Sequence, residues 1–142
     1  MVSLDLTDAF MGVACLAAVA KGTTRITGIA NQRVKECNRI LVMVEELSKC
    51  GVKCRELEDG IEIEGRTTPI SLSSPAEILC YNDHRIAMSF ACLGARVPGI
   101  VISDKECTQK TYPEYWDDIS NVLGAQLRIP IANNTYVYLP CP

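Results

Sequence analysis

Two short clusters hold the residue types that bind anions and move protons. They are Asn31-Gln32-Arg33-Val34-Lys35-Glu36-Cys37-Asn38-Arg39 and Tyr81-Asn82-Asp83-His84-Arg85-Ile86-Ala87-Met88. Each sets charged residues at the expected start of a helical pattern, and Asp8 occupies a third such place. A helix start offers unsatisfied N–H groups and partial positive charge. Lys and Arg are unfavourable there unless an anion binds, so their placement builds an anion receptor from side chain and backbone together. Lys35 with Arg39, and Glu36 with Arg39, have the spacing of one helix face. Such a face can hold phosphate or carboxylate while Glu36 gives or takes a proton. With Lys110, these residues describe a pocket for a negatively charged substrate that must gain and lose protons. Asp8, Glu36, Lys35, Arg39, Arg85 and Lys110 are expected to crowd around one concave spot, as in an enzyme active site or part of one.

Each residue also has a plainer reading. Asp8 and Asp83 suit helix N-caps. Glu36 and Arg39 suit a solvated ion pair worth about 0.3–0.5 kcal/mol. His84 suits a surface histidine, Lys110 a loop lysine and Asn31 a turn residue. Cys37 as a nucleophile lacks a partnered histidine.

The elements that must position these groups follow from periodicity. Val2–Asp5 reads as the end of a strand, and Thr7 or Asp8 as the cap of a helix over Ala9–Lys21, apolar nearly all round and therefore buried. Gly22 is expected to stop it. Thr23–Ile29 alternates as a strand. A loop with Asn31 leads into a helix from near Lys35 to about Lys49, stopped by Gly51. Val52–Leu57 and Ile61–Glu64 form a hairpin around Glu58-Asp59-Gly60. After a looser stretch, Asp83 caps a helix to about Ala95. Pro98-Gly99 turns into a strand over Ile100–Ser103. A helix spans Tyr112–Leu123 with Gly124 as its stop, and Ala125–Ile129 is a strand. The order repeats at the 75-residue offset between Asp8 and Asp83. The pattern reads as two copies of an α/β supersecondary unit, about 8–66 and 67–129, the second without a clear hairpin. Residues 130–142 form a tail of unknown structure, with Asn133-Asn134 and three prolines.

The chain's 142 residues suit one domain with a real core. A net charge of −3 argues against bulk nucleic-acid binding. No run approaches transmembrane length, and nothing at the start reads as a secretory signal. Several of the eight cysteines fall within apolar helical patterns, as free buried thiols do, so a reducing, cytoplasmic compartment is expected. Cys50 and Cys54 lack a second matching pair, which leaves little support for a metal site.

The stretch Gly28 to Ile40 resembles one signature of the 3-phosphoshikimate 1-carboxyvinyltransferase (EPSP synthase) family, and Tyr81 to Ser89 resembles another. Thr7-Asp8-Ala9-Phe10-Met11 and Cys107-Thr108-Gln109-Lys110-Thr111-Tyr112-Pro113 are similar to two further family segments, in the right order. The wording with Cys37-Asn38 is similar to the version inside the fungal pentafunctional arom polypeptide. A sister family that acts on UDP-N-acetylglucosamine lacks the Asp-His-Arg and Lys-Glu-x-x-Arg wording in this form.

The resemblance implies an α/β (α+β) fold of about two βαβαββ-type units, helices packed on mixed sheets, with residues 1–129 a partial C-terminal domain. It implies transfer of the enolpyruvyl group of phosphoenolpyruvate to the 5-hydroxyl of shikimate 3-phosphate, through a tetrahedral intermediate and with no metal or organic cofactor. Carried over by position, Asp8 would hold and deprotonate the hydroxyl. Glu36 would shuttle the proton at the methylene carbon, with His84 beside it. Asn31 and Lys35 would contact shikimate 3-phosphate, and Arg39, Arg85 and Lys110 would bind phosphoenolpyruvate. The family's facing N-terminal domain is the implied partner. Without it the chain is expected not to turn over, and uncovered surfaces favour self-association. A non-catalytic fragment that only folds or binds is the competing class, and a cysteine metal module the third.

Overall fold

Each helix and strand has a local cause, and together they give the same order of elements twice. The computed structural model describes residues 2–3, 7–66, 68–123, 126–128 and 136–139. The chain divides into two units, Met1–Ile70 and Ser71–Pro142. The first runs β1 (Val2–Ser3), a 3-10 turn (Thr7–Ala9), α1 (Phe10–Ala18), β2 (Gly22–Thr27), a second 3-10 turn (Ala30–Val34), α2 (Arg39–Lys49), β3 (Lys53–Leu57) and β4 (Gly60–Gly65). Its sheet has the order β1-β2-β4-β3. β1 and β2 are parallel, with Val2 opposite Ile26, and the other pairs are antiparallel.

The second unit runs β5 (Ala76–Ile78), α3 (His84–Gly94), β6 (Ile100–Ile102), a 3-10 turn (Lys105–Thr108), α4 (Tyr115–Leu123), β7 (Gln126–Arg128) and β8 (Tyr136–Leu139). Its order is β5-β6-β8-β7, with β5 and β6 parallel and the rest antiparallel. Both units are therefore βαβαββ with one topology. β7 and β8 supply the second unit's antiparallel pair, which the sequence did not signal.

In the first unit, Ile40, Met43 and Leu47 of α2 and Phe10, Ala14 and Ala18 of α1 are fully buried, as are Ile26, Ile61 and Ile63 of the sheet. α1 is not buried all round, because Leu16 is 68% exposed. A Cβ on Gly65 would sit 2.2 Å from the Ala17 carbonyl oxygen, so β4 can meet the end of α1 this closely only as glycine. The second unit buries Ile78, Ile86, Phe90, Ile100 and Ile102 in the same way.

Several boundaries shift. α1 starts at Phe10 with no side-chain cap, so neither Thr7 nor Asp8 caps it. It ends at Ala18, and Gly22 instead opens β2 at φ 91°. α2 starts at Arg39, because the Asn38 side chain accepts from the Leu41 N–H and fixes the N-cap there. α4 starts at Tyr115, since Pro113 biases Tyr112 away from helical geometry. The stop at Gly51 holds: the Gly51 N–H donates to Ser48 and the Val52 N–H to Leu47. Asp83 caps α3 by accepting from the Arg85 N–H at 2.9 Å. Asp5, Gly124, Ala125, Ile129, Asn133 and Asn134 lie outside the described residues. No described helix is long and apolar enough to cross a membrane.

Candidate active site

The polar residues of the first unit gather in the connections that follow the parallel strands β1 and β2. This is the edge at which open α/β sheets bind ligands. The Asp59 turn of the β3–β4 hairpin steadies one of these connections: Asp59 Oδ2 accepts from the Gly28 N–H at 2.9 Å and its carbonyl from the Ile29 N–H at 2.9 Å. Arg33 staples the same connection from below. It donates to the carbonyls of Leu57 at 2.6 Å and Glu58 at 3.0 Å and pairs with Glu56.

On that base sits a network centred on Arg39, whose side chain is only 2% exposed. Its guanidinium donates to Asp8 Oδ1 at 3.0 Å, Gln32 Oε1 at 2.8 Å and Glu36 Oε2 at 2.7 Å. Gln32, itself fully buried, donates to Asp8 Oδ1 and Thr7 Oγ1, both at 2.9 Å. Asn31 Nδ2 donates to the same Thr7 hydroxyl at 3.1 Å. The carboxylates of Asp8 and Glu36 are 44% and 35% exposed. Two solvent-facing carboxylates are thus anchored on one buried cation, which suits groups that must exchange protons with a bound molecule. Glu36 and Arg39 meet across a bend that precedes α2, not along a helix face as their spacing suggested. Lys35 closes the second 3-10 turn, exposed.

In the second unit the equivalent connections follow β5 and β6. Tyr81 and Asn82 both take positive φ (52° and 55°) immediately before α3. Such backbone is costly for residues other than glycine and persists only where its surroundings hold it. Here the Asn82 N–H donates to Asp104 Oδ2 at 3.1 Å, and Lys110 Nζ donates to the Asn82 carbonyl at 2.9 Å. His84 opens α3 and is 8% exposed; Arg85 follows it, half-buried. The structure therefore brings Asp8, Asn31, Glu36 and Arg39 into one network in the first unit. His84, Arg85 and Lys110 belong to the second, where Lys110 braces the turn ahead of His84.

Sequence reasoning missed Thr7 and Gln32. Neither is charged, and only the burial of Gln32 between two charged groups marks it. An open groove of ≈ 690 Å³ on the sheet of the first unit is lined by Thr23, Arg25, Thr27, Arg55, Leu57 and Glu62 and includes none of the candidate residues. Glu62 pairs there with both arginines across adjacent strands, and the hydrogen bond from Arg55, then that from Arg25, holds its carboxyl below the usual range.

A twice-repeated βαβαββ unit, with polar clusters beyond the ends of its parallel strands, defines an α/β repeat architecture with acid–base and cationic residues at equivalent edges. The chain belongs to the EPSP synthase (3-phosphoshikimate 1-carboxyvinyltransferase) family, whose model matches residues 4–119. It is 50% identical over 123 residues to the pentafunctional AROM polypeptide of Yarrowia lipolytica, which covers 86% of this chain and 8% of that polypeptide. Two structures of EPSP synthase from Acinetobacter baumannii match as well. One, determined at 2.37 Å, has a TM-score of 0.73 and 39% identity over 80% of this chain. The other has a TM-score of 0.67 and 36% identity over 78%. The chain spans 26% and 25% of those two structures.

Proposed function

We propose that the chain carries acid–base and anion-holding residues for the transfer of the enolpyruvyl group of phosphoenolpyruvate to the 5-hydroxyl of shikimate 3-phosphate. The supporting observation is the pair of part-exposed carboxylates, Asp8 and Glu36, held at 3.0 and 2.7 Å by one buried guanidinium. The reaction deprotonates an alcohol and protonates a carbon, so it needs two carboxylates with separate tasks. Asp8 takes the hydroxyl proton as that oxygen bonds to C2 of phosphoenolpyruvate. Glu36 delivers a proton to C3, turning the methylene into a methyl. The tetrahedral intermediate then loses phosphate, and Glu36 recovers a methyl proton as the double bond returns. His84 assists these proton transfers. Asn31 and Lys35 contact shikimate 3-phosphate, while Arg39, Arg85 and Lys110 bind the phosphate and carboxylate of phosphoenolpyruvate.

The matched structures are about three times the length of this chain, which supports a partner: the N-terminal domain of the same enzyme. On this proposal the chain alone does not turn over, because positioning and water exclusion need the facing domain. The same coverage favours, as second reading, a fragment that only folds or binds. Among the described residues seven cysteines are thiols rather than disulfides, which fits the cytoplasm, and the exposure of Leu16, Val34 and Val122 (68%, 84% and 74%) fits self-association. Release of phosphate from phosphoenolpyruvate, with both substrates present, separates the two readings. We expect none from the chain alone and steady turnover once a separately made N-terminal domain is added. Absence of turnover in the mixture, with both parts folded, favours the non-catalytic reading.

A further inference from the structure

We infer that Gln32 is the positioning residue of the proposed base: its amide fixes the orientation and the proton affinity of Asp8. The inference rests on the functional reading only for what Asp8 does; the coupling between the two side chains stands by itself.

Gln32 is fully buried, and its side chain spends its hydrogen-bonding groups on three polar neighbours. One amide nitrogen supplies both N–H groups, to Asp8 Oδ1 and Thr7 Oγ1, each at 2.9 Å. The amide oxygen accepts from the Arg39 guanidinium at 2.8 Å. Turning the amide over would aim N–H at N–H on the Arg39 side and oxygen at oxygen on the Asp8 side, so only one orientation satisfies all three neighbours. Asp8 Oδ1 therefore receives two donors, from Gln32 at 2.9 Å and from Arg39 at 3.0 Å. Both favour the ionised carboxylate. The Thr7 hydroxyl accepts from Gln32 and also from Asn31 at 3.1 Å, so the same amide ties Asp8 to a residue proposed to contact substrate. A glutamine placed only to satisfy buried Arg39 would need its oxygen alone. Here its nitrogen is equally engaged, toward the carboxylate.

The test is a pH titration of the Asp8 carboxyl carbon by NMR in the 142-residue chain, together with the side-chain NH2 of Gln32. In the unaltered protein the Gln32 NH2 resonances are expected to titrate with the Asp8 midpoint. In Gln32→Met, which keeps length and removes the donor, that midpoint is expected about one unit higher. In Gln32→Glu, which sets a second carboxylate beside Asp8, it is expected to rise further. Gly12→Ala, where a Cβ would meet nothing within 4 Å, serves as control and should leave the midpoint in place. Gln32 NH2 resonances that ignore the Asp8 titration would overturn the inference, even if no Gln32 variant folds. So would an unmoved Asp8 midpoint in a folded Gln32→Met. Adding shikimate 3-phosphate together with the separately made N-terminal domain reads the substrate assignment separately: an unresponsive Asp8 then counts against the proposed reaction while leaving the Gln32 coupling intact.

Discussion

The Arg39 guanidinium holds two carboxylates and an amide while its own side chain is 2% exposed. Removing one partner of a buried ion pair costs about 3–5 kcal/mol, because the charge left behind stays buried and unpaired. In this network the carboxylates reach solvent, so Arg39→Ala is expected at the low end, about 3 kcal/mol, as read from urea unfolding. A loss below about 1 kcal/mol would mean that the network is only a solvated surface pair. Asp8, Glu36 and Arg39 were legible as candidates because charge at a break in a helical pattern is conspicuous. Their mutual geometry was not, since Asp8 lies far from the others in sequence and no local period reports a contact between connections. Gln32 was hidden for a related reason: an uncharged residue next to an arginine looks like loop filler until its burial is known. Arg33 shows the converse. It sits within the same charged run, yet it faces the hairpin and serves as a staple.

At the scale of elements, the helices and the hairpin could be read from apolar spacing and from Asp59-Gly60. The start of α2 could not. Glu36 is the residue type of a first helical turn, but Asn38 is the better cap, and the chain takes a 3-10 turn and a bend before it. That delay sets Glu36 on the bend, from which it reaches back to Arg39. The other end of α2 yields a pH prediction. Cys50 is fully buried at its C-cap, and burial, then the Glu46 carboxylate, pushes its thiol from 9.0 up to about 12. A raised acid contributes stability in full below the unfolded value and loses it as pH climbs toward the folded one. Thermal midpoints are expected to hold below pH 9 and fall between pH 9 and 12. Cys50→Ala should flatten part of that fall. Cys54 and Tyr115, both raised chiefly by burial, and Tyr112, raised by its hydrogen bond to Asp118, contribute to the remainder. An equally steep fall in Cys50→Ala would show that Cys50 is not the titrating group.

At the scale of the molecule, two units of one topology each place polar residues beyond the ends of a parallel strand pair. The repeat was legible because the order of elements recurs. The antiparallel partner strand β8 was not, because it lies in a tail whose Asn133-Asn134 pair and three prolines read as loop. The central claim is that Glu36 moves the proton at C3 of phosphoenolpyruvate. The most direct measurement is solvent deuterium exchange into that methylene, in heavy water, with shikimate 3-phosphate and the chain joined to its N-terminal domain. Deuterium should enter C3 in the unaltered assembly and enter about 10²–10⁴ times more slowly in Glu36→Gln, the usual range for a lost general acid–base. Exchange in Glu36→Gln at the unaltered rate, with the fold intact, would contradict it.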